Sequence, residues 1–139
     1  MATSDVPPRQ GGITVHLPFR QDAARTAREL VDRLLADLSI GDEPRQDAAL
    51  VVHELVMNSV IHGKPGPDGD IELAWQVVGT QLEISVLDCG SGGTVEVRHP
   101  DDEAPNGRGL AIVEALSASW SVDTSTGTRV TARLALPPV

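Results

Sequence analysis

The segment ELVMNSVIHG, residues 54–63, is the stretch of sequence that decides the fold. It completes a predicted helix that runs from about residue 42 to His62 and stops at Gly63. At about 100° per residue, Glu54, Asn58 and His62 lie within about 80° of one another on this helix. Most of the remaining circumference is apolar, so three polar side chains interrupt a helix that is predicted to be buried nearly all round.

Two interpretations fit these polar side chains. A buried carboxylate and a buried amide destabilise a protein unless they find partners, and a hydrated Mg²⁺ ion with a phosphate would supply them. The alternative is an ordinary hydrogen bond between Glu54 and Asn58 at a helix edge. Taken alone, the segment favours the hydrogen bond, and His62 is then simply a residue that interacts with the carbonyl groups at the helix end.

The hydrophobic pattern of the rest of the chain predicts an α+β fold. We expect Gly41 to end the first helix and Asp42 to cap the second. The element order β-α-α-β-β-lid-α-β-β indicates a mixed or mostly antiparallel sheet with about three helices on one face. The predicted strands are 13–17, 71–77, 82–86, 120–122 and 130–136, and the predicted helices are 21–38, 42–62 and 109–117.

The chain is predicted to be one domain, residues 13–139, preceded by a polar tail at residues 1–12. Residues 89–106 are rich in glycine, proline and acidic residues without a period, so a functional lid is expected at about 93–106. The formal net charge of -9 argues against binding to nucleic acid or to an anionic membrane. Any bound phosphate must therefore be held by local dipoles or by a metal ion.

Cys89 is the single cysteine of the sequence, so an internal disulfide is excluded. We see no early apolar run that resembles a signal peptide and no stretch as long as a membrane span. A soluble, cytoplasmic protein is the simplest expectation. Cys89 lies beside a glycine cluster, where an inert thiol is a better interpretation than a redox-sensitive one.

Two glycine clusters add candidate contacts for a nucleotide. DCGSGG, residues 88–93, follows a predicted strand, so Asp88 would present an acceptor for the exocyclic amine of adenine where glycines allow close approach. The alternative is an ordinary turn. GRGL, residues 107–110, opens a predicted helix whose free N–H groups would surround an anion. Arg108 either adds charge to a phosphate or is solvated, and the segment is not a P-loop.

Together these segments resemble the ATPase superfamily of gyrase, chaperones, histidine kinases and mismatch-repair proteins, over essentially residues 13–136. The segments that carry the resemblance are ELVMNSVIHG (N box), Asp88-x-Gly90-x-Gly92 (G1 box), Gly107-x-Gly109-Leu110 (G2 box) and Gly127-Thr128 (last nucleotide-contact motif). The resemblance implies a Bergerat-type ATP-binding fold, a two-layer α/β sandwich.

By this resemblance, Asn58 would coordinate Mg²⁺, Asp88 would bind adenine, and Glu54 would be the general base that deprotonates a partner's serine. The other implied contacts are Gly90 and Gly92, which would make room for the nucleotide, Gly107, Arg108, Gly109 and Leu110 around the phosphates, and Thr128 at the adenine.

Size and layout resemble the anti-sigma-factor serine/threonine kinases within this superfamily. The resemblance implies a Mg-ATP-dependent kinase that phosphorylates an anti-anti-sigma factor and sequesters a sigma factor. A homodimer is also conceivable, through the exposed stripe of the first helix or residues near Trp75. The alternatives are an ATP-gated binding module without transferase activity and, least favoured, the catalytic half of a histidine kinase that works in trans.

Overall fold

The computed structural model describes residues 9–90 and 107–137, with side chains for 12–90 and 110–137. Within these ranges the predicted order of strands and helices is confirmed. The elements are β1 (Arg9–Pro18), α1 (Ala23–Asp37), α2 (Asp42–His62), β2 (Asp70–Val78), β3 (Gln81–Asp88), α3 (Gly107–Leu116), β4 (Ser119–Asp123) and β5 (Thr128–Ala135). β1 begins four residues earlier than the sequence predicts, so residues 9–12 of the expected tail belong to a strand.

The strands form one sheet in the order β1-β2-β3-β5-β4, and every neighbouring pair is antiparallel. β3 therefore lies in the centre, between β2 and β5. Because β3 and β5 run in opposite directions, Asp88 at the end of β3 pairs with Thr128 at the start of β5. This register brings two predicted site residues, forty positions apart in sequence, onto neighbouring strands.

The core lies between the helices and one face of the sheet. Buried and half-buried residues alternate along β2 and β3, which is the pattern of a sheet with one covered face. α2 lies at the centre of the helical layer and contacts α1, α3, β3 and β5. Trp75 is 3% exposed and its ring belongs to this core; a dimer contact through residues near Trp75 stays a prediction.

The other face of the sheet carries paired charges. Arg129 donates from Nη2 to Glu72 Oε2 at 2.8 Å and from Nη1 to Ser85 Oγ at 2.9 Å. Arg133 donates from Nε to Glu83 Oε2 at 3.1 Å. Both arginines, with Ser85 and Glu83, line a shallow concavity of about 470 Å³. Because each arginine is matched by a glutamate, this surface lacks the surplus positive charge that would attract a phosphate group.

The junction between α1 and α2 differs from the sequence prediction. Ser39 has a left-handed φ of 63°, and Ile40 N–H donates to the carbonyl of Leu35 at 2.9 Å, so α1 ends at Asp37, four residues before Gly41. Gly41 is instead the N-cap of α2, and no side-chain capping bond is formed there. Asp42, predicted to be that cap, lies in the first turn, where a negative charge is favourable.

A bidentate ion pair joins α1 to the first turn of α2. Arg45 contacts Asp32 through Nε and Oδ1 at 2.9 Å and through Nη2 and Oδ2 at 3.3 Å. The hydrogen bond from Arg45, together with its charge, lowers the pKa of Asp32, against the opposing effect of partial burial. The pair therefore stabilises the contact between the two helices most when Asp32 is ionised.

We expect Asp32→Asn to lower the thermal midpoint at neutral pH. The pKa of Asp32 is lower in the folded than in the unfolded chain, so its contribution is present above the unfolded pKa and is lost as pH falls through the folded pKa. The gap between wild type and variant should therefore close in acid, in circular-dichroism melts from about pH 7 to about pH 3. Asp68→Asn, an exposed loop residue, is the control; a gap at Asp32 that persists in acid would contradict the assignment.

Candidate functional site

The candidate site lies where the end of α2, the end of β3 and the start of β5 meet. Cys89 N–H donates to the carbonyl of Lys64 at 2.9 Å, which ties the segment after β3 to the segment after α2. Thr128 Oγ1 donates to the carbonyl of Gly90 at 3.1 Å, which ties the same segment to β5. The structure thus brings together three of the motifs that the sequence identified separately.

Asp88 is 4% exposed and is the one charged side chain that is buried in the described part of the chain. Its Oδ1 accepts the backbone N–H of Gly90 at 2.6 Å. No described residue forms an ion pair with Asp88 or donates a hydrogen bond to Oδ2. A buried carboxylate without a cation is costly unless its oxygens are satisfied. The arrangement therefore offers Oδ2 as an acceptor for a ligand's N–H group.

Two glycines allow the backbone to close around Asp88. A Cβ on Gly90 would lie 2.7 Å from Asp88 Oδ1, so the space over Gly90 is occupied by the carboxylate of Asp88 itself. Gly127 has a φ of 125°, a conformation that L residues rarely adopt, and a Cβ there would overlap the carbonyl oxygen of Asp88. Neither position has room for a side chain beside Asp88, and the predicted contact of Gly90 with a nucleotide stays a prediction.

The polar stripe of α2 is more open than the sequence predicts. Glu54 and Asn58 are half-buried and His62 is exposed, because the described helices and strands leave this side of α2 partly uncovered. The prediction that these polar side chains are buried was therefore wrong. In the described residues no hydrogen bond joins Glu54 to Asn58, so the ordinary helix-edge bond is not observed. Leu50 and Ile61, on the same side of α2, are 41% and 45% exposed.

α3 begins at Gly107, two residues before the predicted start, and packs beside α2. The backbone N–H groups of a helix's first turn have no partner within the helix, and such groups can bind an anion. Leu110 is 3% exposed and anchors this turn in the core. Gly92, the predicted lid at residues 93–106 and the side chain of Arg108 lie outside the residues that the structure describes.

The described residues contain no group of three or more His, Cys, Asp and Glu side chains arranged to hold a metal ion. The predicted magnesium site has a different composition, with Asn58 as its single protein ligand. Cys89, the free thiol beside the site, is exposed.

None of the helices in the described part of the chain combines the length and the apolar character needed to cross a bilayer.

Solved structures similar to this chain include the two that follow. The chain is similar to a crystal structure of the RsbU and RsbW domains of Rv1364c from Mycobacterium tuberculosis, with a TM-score of 0.70, 25% identity, and coverage of 94% of this chain and 34% of that one. A histidine kinase domain from the blue-light-activated histidine kinase EL346 of Erythrobacter litoralis has a TM-score of 0.52, 21% identity and coverage of 86% and 62%, which shows the shared fold. This chain therefore spans about a third of the first relative's length.

None of the proteins with curated descriptions matches this chain. Residues 17–134 match the family of the histidine kinase-like ATPase domain. That match covers most of the chain, including α2, Asp88, the start of α3 and Thr128. With the antiparallel sheet covered by three described helices, it confirms the fold expected from the motifs. The chain belongs to the histidine kinase-like ATPase domain family.

Proposed function

We propose that this chain is a Mg-ATP-dependent serine/threonine protein kinase that phosphorylates an anti-anti-sigma factor and sequesters a sigma factor. The observation that carries the proposal is the buried carboxylate of Asp88. It is held by backbone groups at the junction of three motifs, and Oδ2 has no donor among the described residues. The exocyclic amine of adenine is a donor of the kind that this oxygen accepts, and ATP binding agrees with the family.

In this proposal the two ends of the nucleotide are held by different elements. Asp88 accepts the hydrogen bond from adenine, with Thr128 beside it on β5. The phosphates lie against the N–H groups that begin α3, at Gly107 and Gly109, where the helix dipole favours negative charge. Arg108 and Gly92 are further proposed contacts. These dipoles matter because the net charge of the chain, -9, repels an anion at long range.

Asn58 is the proposed protein ligand of Mg²⁺. It is half-buried on the open side of α2, and no described residue forms a hydrogen bond with its side chain, so none of them competes with a cation for its carbonyl oxygen. Magnesium usually takes one or two protein ligands and completes its shell with water and phosphate oxygens, which fits a site without a carboxylate cluster. When bound, the ion neutralises phosphate charge.

Glu54 is the proposed general base. It lies one helical turn before Asn58 on the same side of α2 and is half-buried, so its carboxylate is accessible to a partner's hydroxyl group. The exposed apolar residues Leu50 and Ile61 flank it along the helix. A protein substrate that covered these two side chains would bring a serine or threonine towards Glu54.

The partners are proposed from family resemblance. The anti-sigma-factor kinases share the motif order of this chain, and one solved relative contains an RsbW domain. The acidic surface is compatible with protein partners and disfavours nucleic acid. A homodimer remains compatible with this function.

An ATP-gated binding module without transferase activity is the second candidate. The observation that favours it is that Glu54 has no hydrogen-bond partner among the described residues, whereas a catalytic base is usually oriented by a neighbouring group. In that function, nucleotide binding would shift the affinity for a protein partner without any chemical step.

Labelled ATP distinguishes the candidates. Incubation of the chain with γ-³²P-ATP, Mg²⁺ and a candidate anti-anti-sigma protein should give acid-stable label on the partner. Glu54→Gln should reduce the rate of transfer by about a hundredfold, because the base is lost, while ATP affinity stays within about twofold. Glu114→Gln, an exposed glutamate of α3, is the matched control. Transfer at the wild-type rate would make Glu54 structural, acid-labile label would indicate histidine transfer, and tight ATP binding without label would favour the binding module.

Asp88→Asn should weaken ATP binding by about 1–3 kcal/mol, because a charge-assisted hydrogen bond to adenine is lost. Isothermal titration calorimetry with Mg²⁺ present measures the change, and circular dichroism checks that the variant is folded. Asp68→Asn makes the same substitution at an exposed loop position and should leave affinity unchanged. Equal affinities of wild type and Asp88→Asn would remove adenine recognition by Asp88 from the proposal.

A further inference from the structure

Gly63, the residue that follows α2, lies directly against the carboxylate of Asp88. A Cβ built on Gly63 would overlap Asp88 Oδ2 and Cγ, and it would lie 2.6 Å from the carbonyl oxygen of Ser59. Real Cβ atoms do not approach other heavy atoms this closely, so a side chain at this position would force a neighbour to move. Position 63 is therefore restricted to glycine by its surroundings.

The backbone conformation at position 63 does not explain why this residue is a glycine. Glycines at helix ends usually adopt a left-handed φ that other residues avoid. Gly63 instead has a φ of -90° and a ψ of -165°, an extended conformation that any residue adopts. The sequence pattern, in which a glycine simply stops a helix, thus assigns the wrong reason to Gly63. What the position requires is empty space beside Asp88.

The contact fixes both oxygens of the carboxylate. Gly90 N–H binds Oδ1 at 2.6 Å, while the Cα side of Gly63 faces Oδ2. The hydrogen bond from Cys89 N–H to the carbonyl of Lys64 at 2.9 Å holds the two backbone segments together. The carboxylate is thus enclosed by backbone from two directions, and its orientation depends on the absence of a side chain at position 63.

We propose that Gly63 is a positioning residue that orients the Asp88 carboxylate and thereby sets selectivity for purines that carry an exocyclic amine. This inference rests on the proposed ATP-binding function and deepens it. The Ser59 carbonyl is fixed within α2, whereas the Asp88 carboxylate is the end of a side chain and is the group that moves. A side chain at position 63 therefore turns the carboxylate away from the amine and leaves the phosphate contacts at α3 in place.

The test compares two nucleotides, ATP and purine riboside triphosphate, which lacks the exocyclic amine. By calorimetry with Mg²⁺, wild type should prefer ATP. Gly63→Ala should lose about tenfold in affinity for ATP but stay within about twofold for the purine analogue. Gly41→Ala, at the other end of α2 with no atom within 4 Å of its Cβ position, should change neither affinity.

Each other outcome has a defined meaning. Equal losses for the two nucleotides, or no loss for ATP, would overturn the role of Gly63 while the proposed function stands. If wild type binds ATP and the purine analogue equally well, the proposed role of Gly63 is also overturned, because the protein then has no selectivity for the amine. Wild type that binds neither nucleotide would reject the proposed function, and this inference with it.

A second measurement tests the proposal even if the Gly63→Ala variant is too unstable for binding experiments. The contact with Asp88 disappears in an Asp88→Ala background, whereas the contact with Ser59 remains. Thermal melts without nucleotide should therefore show that Gly63→Ala lowers the midpoint less in the Asp88→Ala protein than in wild type. Equal decreases in the two backgrounds would assign the effect to Ser59 and overturn the proposal.

Discussion

The rest of the site depends on one constraint, which is that a carboxylate is buried at the end of the central strand with no cation beside it in the described part of the chain. Such a group destabilises a fold unless polar partners compensate. In the described residues Asp88 receives one backbone hydrogen bond and is enclosed by glycines at positions 63, 90 and 127. The sheet order supplies these neighbours, because β3 ends beside the start of β5 and beneath the end of α2. The fold thus tolerates a stability cost at the position where a ligand's donor would offset it.

Electrostatics separates this site from the rest of the surface. The chain carries a formal charge of -9, yet the arginines on the open sheet face are matched with glutamates at about 3 Å. In the proposed function, backbone N–H groups and a metal ion supply the attraction for a phosphate, with Arg108 as a further contact. Both act over short distances and at fixed geometry, so they favour an anion at one place without making the whole surface a binding site for polyanions.

Local features of the fold were predictable, and non-local ones were not. The bounds of α2 could be read from Asp42 and Gly63, because helix-end signals lie within a few residues of the ends they mark. The strand order could not, since register depends on contacts between distant segments. A helical wheel overestimated the burial of Glu54 and Asn58 because it does not show which side of α2 other elements leave uncovered. Ser39 took the left-handed conformation that was assigned to a glycine, and the need for space at Gly63 was hidden by its fit to a helix-stop pattern.

The Arg45–Asp32 ion pair has a consequence at a distance. α2 is an uninterrupted helix of 21 residues, so it is about 31 Å long. Arg45 lies in its first turn, and Gly63 follows its last. If a displacement of α1 tilted α2, the C-terminal end of α2 would move as well, and the backbone beside Asp88 would shift with it. A change in the packing of α1 against the start of α2 would in this way be transmitted along α2 to Gly63, and not through the sheet.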